Sequence, residues 1–227
     1  MTNMGIEITI LFMTLAITTG AQIYINKWYS KTKKIKNKKE MNGAEVARLI
    51  LDKNGLSNVK VEETSGILSD HYDPRTKVVR LSPDIYNNPT IASISVASHE
   101  CGHAIQDKNN YAFLRLRNNI VPVVNFASYA GYIAIVIGIF ASALNFIWIG
   151  IAMEMIILIF QLITLPVEFN ASSRALKQLN ELNVLEKTEL KQSKKMLTAA
   201  AMTYVAAVAT AVLEIIRLIL IFGGRDE

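Results

Sequence analysis

IVPVVNFASYAGYIAIVIGIFASALNFIWIGIAMEMIILIFQLITL, residues 120–165, decides the architecture of this chain. Its one charged side chain is Glu154. A membrane-crossing helix needs about 20 consecutive apolar residues. The stretch is more than twice that length, so it reads as two spans, turning at the uncharged residues 143–146. Two further apolar runs flank it. Residues 4–25 carry Glu7 near their start, and residues 198–222 carry Glu214 and Arg217. The reading is four transmembrane helices with polar stretches between them.

Composition agrees. Of the 227 residues, 51% are hydrophobic and 19% charged, against about 25% charged in an ordinary soluble domain. Such a chain is neither disordered nor a wholly soluble globule. The net charge is +5, and its positions matter more than its size. Lys27, Lys31, Lys33, Lys34, Lys36, Lys38 and Lys39 follow the first span directly. Juxtamembrane lysines mark the cytoplasmic side and meet anionic lipid, so nucleic-acid binding is set aside. Arg115 and Arg117 before the second span agree, as do Arg174, Lys177, Lys187, Lys191, Lys194 and Lys195 after the third.

Residues 1–10 hold no Lys or Arg, so the first span reads as an uncleaved anchor, not a signal peptide. Cys101 is the single cysteine, which excludes an intrachain disulfide. The expected layout is a first transmembrane helix over 1–26 and a cytoplasmic domain over 27–119. A transmembrane hairpin over 120–166 follows, then a cytoplasmic helical segment over 167–197, a fourth transmembrane helix over 198–222 and a tail over 223–227.

Within the cytoplasmic part, residues 41–55 read as a helix capped by Asn42 and stopped by Gly55. Strand character follows at 59–62, 67–68 and 77–81, with the Asp-Pro turn chemistry of a loop at 70–75. A second helix is expected from Asn88-Pro89 to residue 106. Residues 111–117 read as lying on the membrane surface.

That second helix carries His99-Glu100-Cys101-Gly102-His103. Residues four apart share a helix face, so His99 and His103 can bind one zinc ion, with Glu100 within reach of a water at the metal. Zinc would activate the water and polarise a peptide carbonyl. Glu100 would serve as general base and then acid. Two of only three histidines fall at this spacing. The third protein ligand is expected to be Glu168, emerging just after the third span ends at Pro166; His71 is the next candidate.

Three stretches resemble the bacterial YugP-like neutral zinc metallopeptidases. They are Asp70-His71-Tyr72-Asp73-Pro74, Val79-Arg80-Leu81-Ser82, and His99 through Gln106. Pro166-Val167-Glu168-Phe169-Asn170-Ala171-Ser172 matches the same family further on. The resemblance spans nearly the whole chain. It implies a membrane zinc peptidase laid out like the HtpX-type proteases, where a glutamate in an E-x-x-A segment is the third ligand. Glu168-Phe169-Asn170-Ala171 looks like that segment. Ser172 stands where that segment often has Asp, which leaves open which group orients the histidine ligand.

In zincin-like enzymes a strand beside the zinc helix often binds the substrate backbone. His71, near such a strand, could stabilise the oxyanion, or could be a loop histidine bonded to Asp70 or Asp73. Arg174 reads as a solvated helix residue or as one positioning a carboxylate, and Cys101 as packing. Glu154, Glu214 and Arg217 could mark an ion path, but helix packing or an oligomer contact is favoured.

The expected fold is thus an α-helical membrane protein with a small α+β zincin-like cytoplasmic domain, a multi-pass protein of the bacterial plasma membrane with its active site on the cytoplasmic side. The expected activity is a zinc-dependent metallopeptidase, an endopeptidase acting on membrane or membrane-proximal proteins, as a homo-oligomer or with a partner membrane protein. The alternative is a transporter or non-catalytic scaffold with a structural metal site.

Overall fold

The computed structural model describes residues 3–223; Met1, Thr2 and residues 224–227, most of the expected tail, lie outside the described residues. Among the described residues, seven helices and three strands follow in order. They are α1 (Asn3–Thr32), α2 (Gly43–Lys53), β1 (Lys60–Glu63), β2 (His71–Asp73), β3 (Val78–Leu81), α3 (Pro83–Asn87), α4 (Ile91–Lys108), α5 (Ala112–Phe140), α6 (Leu144–Glu181) and α7 (Lys187–Phe222). Four of them, α1, α5, α6 and α7, are long and apolar enough to cross a membrane.

The chain forms two compact units. The first contains the described residues of Met1–Gln22, Leu116–Leu165 and Met202–Glu227. Here glycines set the packing of the α5–α6 hairpin. A Cβ on Gly131 would meet the Met153 side chain, and one on Gly150 would meet Ile135. Small residues let helix backbones approach where lipid gives no hydrophobic drive. Ile147 and Ile151 of α6 pack with Ile215, Leu218 and Phe222 of α7. Arg217 donates to Glu214 from Nε at 2.9 Å, so this pair is internally satisfied. Glu154 is half-buried on α6.

The second unit, Ile23–Arg115 with Pro166–Ala201, is built around α4. Its N-terminal helix α2 starts as the sequence indicates. The Asn42 side chain accepts from the Glu45 N–H while Glu45 reaches back to the Asn42 N–H, a reciprocal capping box. The helix stops before Gly55, which adopts φ +64, a left-handed conformation costly for other residues. Val46, Ala47, Ile50 and Leu51 of α2 pack on Ile94, Ala97, Cys101 and Ala104 of α4 and on Val79 and Leu81 of β3. Each fully buried large aliphatic there contributes roughly 1.5–3 kcal/mol. This packing holds α4 so that its remaining face carries the motif.

The three strands form one sheet, ordered β1-β3-β2. β1 runs parallel to β3, and β2 antiparallel, with Tyr72 opposite Val79. Two differences from the sequence expectation stand out. Residues 67–68 are not a strand; Ile67 and Leu68 are exposed, and Leu68 has φ +56. Conversely, His71–Asp73, expected as loop, is a strand. The Asp-Pro chemistry makes the turn just after it, where Asp73 accepts from the Arg75 N–H and the Thr76 hydroxyl.

The start of α4 also differs. Asn88 ends the short α3, and the residue before a proline is pushed to extended backbone; Asn88 has ψ 138. Thr90 is the cap instead, accepting from the Ser93 N–H. Pro166 does not end the third long helix, since α6 runs on to Glu181 with the proline inside it. Residues 112–117 are the first turns of α5, and the hairpin turn falls at residues 141–143, ahead of the expected 143–146.

Candidate metal centre

α4 is buried on nearly all sides, and two of its serines are satisfied within the helix. Ser95 donates to the Ile91 carbonyl, Ser98 to that of Ile94. The four-residue spacing of His99 and His103 places their rings edge to face, centroids 4.8 Å apart. α6 passes alongside, and the reason is Gly102. A Cβ there would lie 2.5 Å from the Ala171 carbonyl oxygen, well inside contact distance, so only glycine lets α6 come this near.

That approach delivers Glu168. Its Oε2 is 3.2 Å from His99 Nε2 and 3.6 Å from His103 Nε2. Ligand atoms of the three residues lie within 4.8 Å of one another. Two imidazole nitrogens and one carboxylate are a donor set suited to zinc, with a position left for water. His103 and Glu168 are buried and His99 half-buried. Three converging, mostly buried Lewis bases fit a dication. The structure brings these three side chains together, and His71 is not among them.

Glu100 lies one residue from His99, 8% exposed. Its Oε2 accepts from the Tyr72 N–H at 3.0 Å. Burial pushes its carboxyl up to about 7, with His99 opposing and the charges of Glu168 and Asp70 adding to the rise. A proton carrier poised near neutrality suits general base work, and a bound dication would draw it lower.

The Tyr72 N–H turns away from β3 to reach Glu100. β3 itself is central, with neighbours on both sides. The strand edge beside the motif therefore belongs to β2, the strand missed in the sequence. His71 is exposed at its start, and its Nδ1 is 2.7 Å from the Ser69 carbonyl oxygen. Neither Asp70 nor Asp73 is that partner. Asp70 instead accepts from the N–H and hydroxyl of Ser82. With Nδ1–H given to Ser69, His71 can donate from Nε2 only as the imidazolium.

The outer ring nitrogens find neutral partners. Ser172 Oγ is 3.2 Å from His99 Nδ1, and Gln106 Oε1 is 3.0 Å from His103 Nδ1. Ser172 thus fills, as a hydroxyl, the orienting place left open above. Gln106 has no role assigned from the sequence, although its position three residues beyond His103 puts it on the same helix face. Its amide nitrogen donates to the Val167 carbonyl at 2.8 Å and to Asn170 Oδ1 at 3.0 Å. Arg174 donates from Nε to the same Asn170 oxygen at 2.7 Å, an amide where a carboxylate was considered. The Cys101 thiol points to the Ala47 carbonyl, away from the trio.

A family profile described as "Putative neutral zinc metallopeptidase" matches residues 7–223. The chain is also similar to "Putative membrane protease YugP" of Bacillus subtilis (strain 168). The two are 45% identical over 221 residues, covering 96% of this chain and 98% of the relative. No solved structure matches.

Proposed function

This chain belongs to that zinc metallopeptidase family, and from this premise we propose that it hydrolyses peptide bonds within membrane or membrane-proximal proteins, as an endopeptidase. The observation that carries the reading is the convergence of His99, His103 and Glu168 within 4.8 Å, with Glu100 beside them. His99, His103 and Glu168 would hold the zinc, which when bound lowers the pKa of water toward ~7 and polarises a carbonyl.

Glu100 takes a proton from the attacking water and passes it to the amine as the C–N bond breaks. Its Oε2 is anchored on the Tyr72 N–H, which leaves Oε1 to carry the proton. The edge of β2 offers extended backbone to which a substrate strand could add. His71, exposed at that edge, would steady the developing oxyanion in its protonated form. The unit containing the site would then be a zincin-like α+β domain assembled from residues 27–119 and 167–197.

Four apolar helices and a relative named as a membrane protease support a place in the bilayer. We place the site on the cytoplasmic side, because the lysines of residues 27–39 and 187–195 follow the positive-inside rule. Two of them have acidic partners, Lys33 with Asp84 and Lys38 with Glu186. Lys31 and Lys195 both stand about 5 Å over the Trp28 ring, an arrangement typical of a headgroup boundary.

The test is cleavage of casein or of a detergent-solubilised membrane protein by the full purified chain. A chelator should stop cleavage and added zinc should restore it. Undiminished cleavage by protein from which all zinc has been removed would overturn the proposal.

A further inference from the structure

Resting on the metallopeptidase reading, we propose that Arg174, Asn170 and Gln106 form a hydrogen-bond relay that fixes His103 as its Nδ1–H tautomer, keeping Nε2 free as a metal donor. These three are positioning residues, because each acts through the imidazole.

The direction of every bond in the relay follows from what its first member can do. A guanidinium has five donors and no acceptor. Arg174 Nε lies 2.7 Å from the Asn170 side chain, so the facing atom of Asn170 is its oxygen. Gln106 meets that same oxygen at 3.0 Å, so it must present its NH2 group. The second contact of that group agrees, since the Val167 carbonyl at 2.8 Å can only accept. With its NH2 so committed, Gln106 turns its carbonyl oxygen to His103 Nδ1 at 3.0 Å. An oxygen there requires a proton on Nδ1. The lone pair of the neutral ring is then on Nε2, the atom 3.6 Å from Glu168 Oε2.

Gln106 is fully buried, its side chain out of reach of bulk solvent. A flipped amide would set its NH2 against Nδ1 and its oxygen against two acceptors, leaving buried polar atoms unmatched. The other ligand is treated differently. Ser172 faces His99 Nδ1 with a hydroxyl that can donate or accept, so it orients the ring without choosing its tautomer. The relay therefore makes His103 the predefined ligand, with His99 the one whose proton can relocate.

The test uses the full chain in detergent, with isotope-labelled histidine, and only three histidines to resolve. NMR shifts of the ring nitrogens at pH 8 report each tautomer in the zinc-free protein. Zinc affinity is read by competition with a chromophoric chelator. The wild type should show His103 as Nδ1–H. Gln106→Met should release the tautomer to a mixture and weaken zinc binding about 10–100-fold. Gln106→Glu keeps an acceptor for Nδ1–H but loses both donors to α6, and should keep the tautomer and most of the affinity. Asn170→Asp should likewise preserve the tautomer, and Asn170→Leu should lose it.

If Gln106→Glu and Gln106→Met lose affinity equally, Gln106 is only a bridge between helices and the relay is refuted. If Gln106→Met keeps the wild-type tautomer and affinity, the relay is refuted while the metal centre stands. If His103→Ala binds zinc as tightly as wild type, the ligand set itself is wrong, an outcome separable from the other two.

Discussion

Glu100→Gln is expected to retain its zinc and to lose cleavage by about 10²–10⁴-fold, the range for removing a positioned general base. That corresponds to roughly 3–5 kcal/mol of barrier. Gln keeps the shape of the side chain and can still accept from the Tyr72 N–H that Glu100 engages. It cannot take a proton from water, so the loss should fall on kcat and leave metal content unchanged. The measurement is zinc stoichiometry beside kcat on the same preparation. Full cleavage with full zinc would remove Glu100 from the mechanism. The same variant carries a pH signature in the metal-free protein. Burial raises the Glu100 carboxyl to about 7 in the folded state from 4.5. Its contribution is therefore favourable at low pH and is lost as pH rises through about 7. Gln does not titrate, so the variant should gain on the wild type with rising pH, by up to a few kcal/mol. Thermal melts of the zinc-free forms between pH 5 and 8 would show this.

Glu168→Ala is the second large effect, and it should appear in binding before it appears in rate. Two imidazoles four residues apart on one helix are an incomplete site. We expect zinc affinity to fall by at least ~100-fold, beyond the ~10–100-fold typical of losing an outer hydrogen-bond partner. Glu168 is buried against both rings, so deleting it also takes the acceptor from His99 Nε2, at about 1–3 kcal/mol. Glu168→Gln separates the two consequences. It retains an oxygen near the rings but not the charge, and should recover stability without recovering zinc. Unchanged affinity in both variants would send the search for a third ligand elsewhere, with His71 the next candidate.

Much of this molecule can be read from local pattern. Apolar runs disclose α1, α5, α6 and α7 because a membrane span is a matter of length and uniformity. The helix start at Asn42 is legible for a similar reason, since a cap acts within one turn. His99, Glu100 and His103 follow from helical periodicity alone. The missed elements depend on distant partners. β2 is three residues long and exists through its pairing with β3; its Asp-Pro sequence advertises only the turn. The helix start at Thr90 is set by the backbone restriction before Pro89, which competes with the preference of proline for a first helical turn. Pro166 reads as a terminus but is absorbed within α6. Glu168 is legible as a candidate because an apolar hairpin separates it from His103 in sequence. Gln106 lay in plain view beside His103, yet its meaning comes from Val167 and Asn170, some sixty residues on.

The position of Cys101 turns the chain into its own stopwatch. The single thiol sits between the two histidines, fully buried, its sulfur against the Ala47 carbonyl. Burial also pushes the thiol up, away from its reactive thiolate. An alkylating reagent can therefore modify it only in moments when α2 and α4 part. At low reagent, the labelling rate measures how often that happens. Zinc bound to the closed form alone should slow labelling by one plus the ratio of free zinc to Kd. A labelling rate indifferent to zinc would mean that the helices separate without disturbing the metal. No probe need be engineered, since nature has placed one within a helical turn of both imidazoles.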